Sequence, residues 1–179
     1  MVFVSKIVAA GASYEVTGSG YDPAGQIVPQ KDEPSIALVE CLTAGLLCND
    51  SQLVEMDGRW TVQGDPTEGA LIVAARKAGL DPDLVVYPAR LDAIPFDSQH
   101  QYMATLHADG MVYVKGAAEV LLDRCKGGSC AGPHRAAGGH GTLHVRPHGT
   151  VDMPRDRDVC ELTKKHAQHT FVLKLIRFL

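Results

Sequence analysis

The chain has 179 residues, 45% of them hydrophobic, and a formal net charge of −4. That is enough apolar material for one core, which excludes wholesale disorder; the negative balance excludes a globally basic nucleic-acid binder. The charge is uneven: residues 1–125 carry 8 Lys and Arg against 17 Asp and Glu, and residues 126–179 carry 9 against 4, so Cys125 marks a compositional boundary. Cys41, Cys48, Cys125, Cys130 and Cys160 include no Cys-x-x-Cys pair. An odd count without that spacing fits reduced, cytosol-facing thiols better than a disulfide framework. No apolar run approaches the roughly 20 residues of a membrane helix, and the opening Met1–Gly11, cut by Lys6, does not read as a signal peptide.

In chain order, Val2–Ala9 and Ser13–Thr17 read as strands around Gly11, followed by a loop rich in glycine and proline up to Pro29. Pro34-Ser35 opens a helix to about Leu47, with Ile36, Val39, Leu42 and Leu46 as its expected buried stripe and Cys41 and Cys48 as small core-facing thiols. Gln52–Glu55 and Arg59–Val62 form a hairpin around Asp57-Gly58, from which Trp60 is expected to cover the core. Asp65 is a good N-cap, Pro66 suits the first helical position, and Glu68 stands three residues after the cap, which predicts a capping box. Leu71, Ala74, Ala75 and Ala78 make that helix's inward stripe, and Gly79 closes it. Gly69, Ala70 and Ala74 permit close approach by a strand or a ligand. A well-capped amphipathic helix accounts for these residues without any ligand.

Leu84–Tyr87 is helical or extended, and Leu91–Phe96 leads into a second hairpin. Its arms are Gln101–His107 and Met111–Lys115, joined through Asp109-Gly110, and a helix over Ala117–Arg124 follows. This order predicts an α+β fold, an antiparallel β-sheet flanked by helices. The hairpin's open end brings Phe96, Lys115, Gly116 and a helix start toward one point. A ring face, an ammonium and a helix N-terminus suit a ligand that is flat at one end and anionic at the other, as a nucleotide is. An ordinary hairpin with a core Phe and a solvated Lys fits the same spacing.

Four stretches stand in order: Leu47-Cys48-Asn49-Asp50, Gly64-Asp65-Pro66-Thr67-Glu68-Gly69-Ala70-Leu71, Pro95-Phe96-Asp97-Ser98 and Lys115-Gly116-Ala117-Ala118-Glu119. Together they resemble the nucleotide-binding domain of P-type cation-transporting ATPases, in the calcium and sodium/potassium branch and its bacterial relatives. The resemblance covers about residues 1–125. It implies ATP, as MgATP, as the ligand. Phe96 would stack on adenine, Lys115 would place positive charge near the nucleotide, and Gly116 would allow close backbone approach. Glu68 with Thr67 would sit at the adenine side, and Met103 would be an apolar wall. Asp65 and Glu119 would be caps or structural partners. The sequence departs from the family at Gln99, His100 and Gln101, where Lys or Arg is usual, and at Ala118, where Pro is usual.

The resemblance further implies that the phosphorylation and actuator domains of a parent pump are partners, at the cytoplasmic side of a membrane. The family's phosphoryl-acceptor motif, Asp-Lys-Thr-Gly-Thr, does not occur in this sequence. The chain is therefore expected to bind nucleotide without forming an aspartyl-phosphate alone, with no nucleic-acid partner and no membrane insertion of its own. Residues 126–179 are an atypical Gly-, His- and Arg-rich tail, read as unstructured or aberrant, with a short helix expected within Asp158–Leu179. His134, His140, His144 and His148 with Cys130 match no compact zinc finger, so no metal site is expected there. The alternative reading is a degraded nucleotide-binding fold acting as a non-catalytic protein-interaction module.

Overall fold

Two strands set the first sheet. Val4–Ala9 (β1) and Ala12–Val16 (β2) pair antiparallel with Ile7 opposite Tyr14, and both of those side chains are fully buried. The computed structural model describes residues 2–9, 12–30, 36–117, 120–121, 169–173 and 176–178, the last two ranges as backbone only. Pro34, Ser35, Glu119, most of the helix expected over Ala117–Arg124, and the tail's histidines at 134–148 with Cys130 lie outside the described residues.

The stretch expected as loop through Pro29 contains a short strand, Ile27–Pro29 (β3), beside β2. Thr17 and Gln26 close the loop between them: the Thr17 amide donates to Gln26 O at 2.9 Å, and the Gln26 amide to Thr17 Oγ1 at 2.8 Å. That clasp returns the chain alongside β2, where an edge position tolerates Pro29.

Helix Ile36–Leu47 (α1) buries Ala37, Leu38, Cys41, Leu42, Ala44 and Gly45, while Ile36 and Val39 face water at 71% and 46% exposure. The expected stripe was thus rotated, keeping Leu42 in the core and Leu46 partly buried against it. Nearly every position of this helix is apolar, so periodicity alone does not select a face. The small residues do, because they let α1 lie close to its neighbours. Burial pushes the Cys41 thiol up to about 12 and the Cys48 thiol to about 11, the latter despite Lys115 nearby. Both are inert core groups, as expected.

Gln52–Met56 (β4) and Arg59–Gln63 (β5) form the expected hairpin, with Asp57 and Gly58 both at positive φ as its tight turn requires. Helix Pro66–Lys77 (α2) packs against α1 and this hairpin and buries every residue from Gly69 to Ala75, so its inward face is broader than the predicted stripe. Ala78 is exposed at the C-cap. Gly69 serves the strand: a Cβ there would overlap the Val62 side chain. Trp60 does not reach the core. Its ring lies under the Arg76 guanidinium, 5.2 Å from the centroid, and Arg76 also pairs with Asp81 and Asp83.

Asp65 caps α2 as predicted, its Oδ1 accepting from the Thr67 and Glu68 amides at 2.8 and 3.1 Å. The capping box itself is not made. Glu68 turns away to distant partners, and Ser51 Oγ accepts the Asp65 amide at 2.8 Å instead. Asp65→Ala should therefore lower stability by about 1 kcal/mol, read as a lower urea midpoint with an unchanged slope.

Arg90–Asp97 (β6), Tyr102–His107 (β7) and Met111–Gly116 (β8) form the second sheet, antiparallel in that order. All six residues of β7 are buried, including two polar ones. His107 Nδ1 lies 3.0 Å from Pro88 O and Nε2 lies 3.1 Å from Thr105 Oγ1. A carbonyl only accepts, so a neutral His107 carries its proton on Nδ1 and leaves Nε2 as an acceptor facing Thr105 Oγ1, whose one proton also has Leu47 O at 3.4 Å.

The C-terminal stretch differs from expectation. His169–Leu173 (β9) pairs parallel with β8, and Ile176–Phe178 (β10) pairs antiparallel with β1. Where a short helix was expected, the described residues are strands. Thr, Phe, Val and Ile favour extended backbone, and an open strand edge on each sheet supplies the missing partners. The described architecture is α+β: helices α1 and α2 with mainly antiparallel sheets of order β10-β1-β2-β3, β4-β5 and β6-β7-β8-β9.

Candidate functional site

One row across the second sheet carries several of the predicted residues. Met103 on β7 is paired with Lys115 on β8. On the other side, Ile94 pairs with Ala104 and Asp97 with Tyr102, so Pro95 and Phe96 share the single position opposite Met103. Two residues facing one is a β-bulge, and β6 is the outer strand. Strand spacing puts the Phe96 and Lys115 backbones about 10 Å apart, with Met103 between them. The Phe96 ring is 58% exposed and Met103 is fully buried. Phe96 is therefore accessible at the sheet edge, and Met103, on the neighbouring strand, belongs to the core.

The row continues into α2. Lys115 Nζ donates to Glu68 Oε1 in a close ion pair, with the two side chains only 12% and 13% exposed. A pair so withdrawn from water is sensitive to loss of either member. Glu68 Oε2 accepts from the Asp50 amide and from Ser51 Oγ, both at 3.0 Å. A carboxylate has about four acceptor directions, so the three donors among the described residues leave roughly one. An ammonium has three donors, so two remain on Lys115 beyond its partner among the described residues. Thr67 stands next to Glu68 in the same turn, exposed, its amide taken by Asp65.

Gly116 follows in the next row, paired with Tyr102. A Cβ there would overlap Gln101 O and would come within 2.8 Å of Tyr102 Cα. The close approach expected at this glycine is made by the chain's own backbone. Gln101 is held in the left-handed region at φ 57, with its carbonyl accepting from the Ala117 amide at 2.8 Å. The loop before it is organised by Asp97, whose Oδ1 accepts from the Gln99 and His100 amides. Those two amides hold the Asp97 carboxyl below its usual range.

The sequence left Asn49, Ser51, Gly64 and Arg90 without roles at this site. Arg90 Nη1 donates to Asp50 Oδ1 at 2.6 Å and Asn49 O at 3.3 Å, tying β6 to the turn after α1. The available signal was local: Asn-Asp-Ser directly after a helix reads as a side-chain-capped turn. Among the described residues there is no group of three or more His, Cys, Asp and Glu placed to hold a metal, and no helix long and apolar enough to cross a membrane.

An α+β scaffold carrying an exposed Phe96, a Lys115 ammonium withdrawn from water and its Glu68 partner is the class of domain that the structure defines. Comparison with known families gives the class a name: the chain belongs to the P-type ATPase cytoplasmic domain N family, whose profile matches residues 37–132. It is 47% identical over 135 residues to the cation-transporting ATPase pma1 of Synechocystis sp., covering 69% of this chain and 15% of that protein. It is 43% identical over 131 residues to the probable cation-transporting ATPase F of Mycobacterium tuberculosis, covering 68% and 14%. Against the calcium-transporting ATPase of Bacillus subtilis the identity is 36% over 130 residues, covering 68% and 15%. The chain thus spans only 14–15% of the length of these relatives.

Proposed function

We propose that this chain is the ATP-binding domain of a cation-translocating P-type ATPase and takes its ligand as MgATP. Adenine lies against Phe96, with Met103 as the apolar wall between it and Lys115. The one open acceptor direction of Glu68 receives the exocyclic amine, beside Thr67. Lys115 turns its two remaining donors toward the nucleotide, and Gly116 keeps the end of the hairpin tight enough for this geometry. The domain's task is to carry ATP to a phosphorylation domain elsewhere in the parent pump, with the actuator domain as a further partner, on the cytoplasmic side of the membrane. The observation that carries this reading is the Lys115–Glu68 ion pair at one end of a strand row that begins at the exposed Phe96.

Titrating the ¹⁵N-labelled chain with MgATP tests it. Amide shifts at Phe96, Glu68 and Gly116 that saturate together are the expected result. No shift at millimolar ATP would remove the nucleotide reading and leave the non-catalytic interaction module in its place. Phe96→Ala should weaken ATP binding by about 1–3 kcal/mol, the range for stacking of a base on an aromatic side chain, without altering the melting temperature of a ring already in water.

A further inference from the structure

Ser51 lies between the turn after α1 and the start of α2. Its Oγ accepts from the Asp65 amide at 2.8 Å and lies 3.0 Å from Glu68 Oε2 and 3.3 Å from Asp65 O. A hydroxyl has one proton, and the carboxylate is the nearer and charged acceptor. Asn49 fixes the Ser51 backbone, its Oδ1 accepting from the Ser51 amide at 2.9 Å. Its Nδ2 donates to Gly45 O and Glu68 O, each at 3.0 Å. Gly64 makes room, with φ at +117, and a Cβ there would come within 2.9 Å of Ser51 Cβ. The first glycine of the Gly64-Asp65-Pro66 stretch is thus explained by the serine it faces.

We propose that Ser51 is a positioning residue of the nucleotide site: by holding Glu68 Oε2 it fixes where Oε1 draws the Lys115 ammonium. The inference rests on the nucleotide reading above. Glu and Lys are both long, flexible side chains, and each loses rotamer freedom when a ligand orders it. Ser51 and the Asp50 amide take up part of that ordering before any ligand arrives, which is preorganisation of the charged half of the site. The serine touches no ligand; it acts through Glu68.

Calorimetric titration of the full chain with MgATP, in the original protein and in Ser51→Ala, Glu68→Gln and the double variant, tests this. Ser51→Ala is expected to weaken binding about three- to tenfold, on the scale of an ordinary hydrogen bond, because the serine acts through Glu68 and not on the ligand itself. In the Glu68→Gln background the same change should move the dissociation constant by less than about twofold, since the two residues act as one unit. The Lys115 ammonium ¹⁵N resonance should shift in Ser51→Ala while the amide spectrum outside the site stays put, which loss of a merely structural contact does not produce. If Ser51→Ala does not fold, Ser51→Cys keeps the volume with a weaker donor, and the same loss is expected. An unchanged affinity in the serine variant, or an equal loss in both backgrounds, overturns the inference while leaving the nucleotide reading intact. No binding by the original protein removes both.

Discussion

Lys115→Met is expected to weaken MgATP binding at least about tenfold and to destabilise the fold by about 2 kcal/mol. The affinity loss follows from removing the one ammonium in the Phe96–Met103–Lys115 row. The stability loss follows from what stays behind, a Glu68 carboxylate whose side chain is only 13% exposed. The cost falls below that of a fully buried orphan charge because the Asp50 amide and the Ser51 hydroxyl still donate to Oε2. Adding Glu68→Gln should restore part of the stability and none of the affinity, since it removes the orphan charge without replacing the cation. Urea unfolding and calorimetric titration read the two quantities separately. Equal stability for the original protein and Lys115→Met would mean that the ion pair contributes nothing to the fold.

Gly116→Val is expected to lower stability by about 3 kcal/mol, a loss of roughly 6–12 °C in melting temperature for a domain of this size. The position leaves no room: Gln101 O and the Tyr102 backbone occupy the space of a Cβ, and neither is the end of a flexible side chain. The strain falls on the Gln101 carbonyl, which also accepts the Ala117 amide, so the hairpin's open end must part from the segment after it. Amide exchange should therefore quicken first at Tyr102 and Ala117 and only later within β1 and β2. A variant that melts like the original would show that this end of the hairpin yields without cost.

Both hairpins were legible in the sequence because Asp57-Gly58 and Asp109-Gly110 leave few local alternatives. The Asp65 cap was legible for the same reason: its partners are two and three residues away. Glu68 defeated the local reading. Its spacing from Asp65 fits a capping box, but Ser51 and Lys115, 17 and 47 residues away, offer its carboxylate donors that the helix end does not. The face of α1 was misassigned because an almost wholly apolar helix carries no periodic signal, and size rather than polarity chose Ala37, Cys41 and Gly45. The pairing of β9 and β10 with strands far earlier in the chain depends on which edges stay open, which no local pattern in the tail reveals. Phe96, Glu68 and Lys115 stand out in the sequence through the ordered motifs that contain them. The chain of support running from Asn49 through Ser51 to Glu68 does not, because side chains that serve other side chains leave little trace in spacing.

The bulge at Pro95 and Phe96 has a consequence for how this molecule behaves at high concentration. An outermost strand ordinarily offers a ladder of unpaired amides to any copy that drifts alongside. On β6 that ladder is interrupted by a residue with no amide hydrogen, by a register slip at the same place, and by the charges of Arg90 and Asp92. Leu91 and Phe96 can therefore stand in water without nucleating fibres, because the backbone beneath them is a poor template for a second strand.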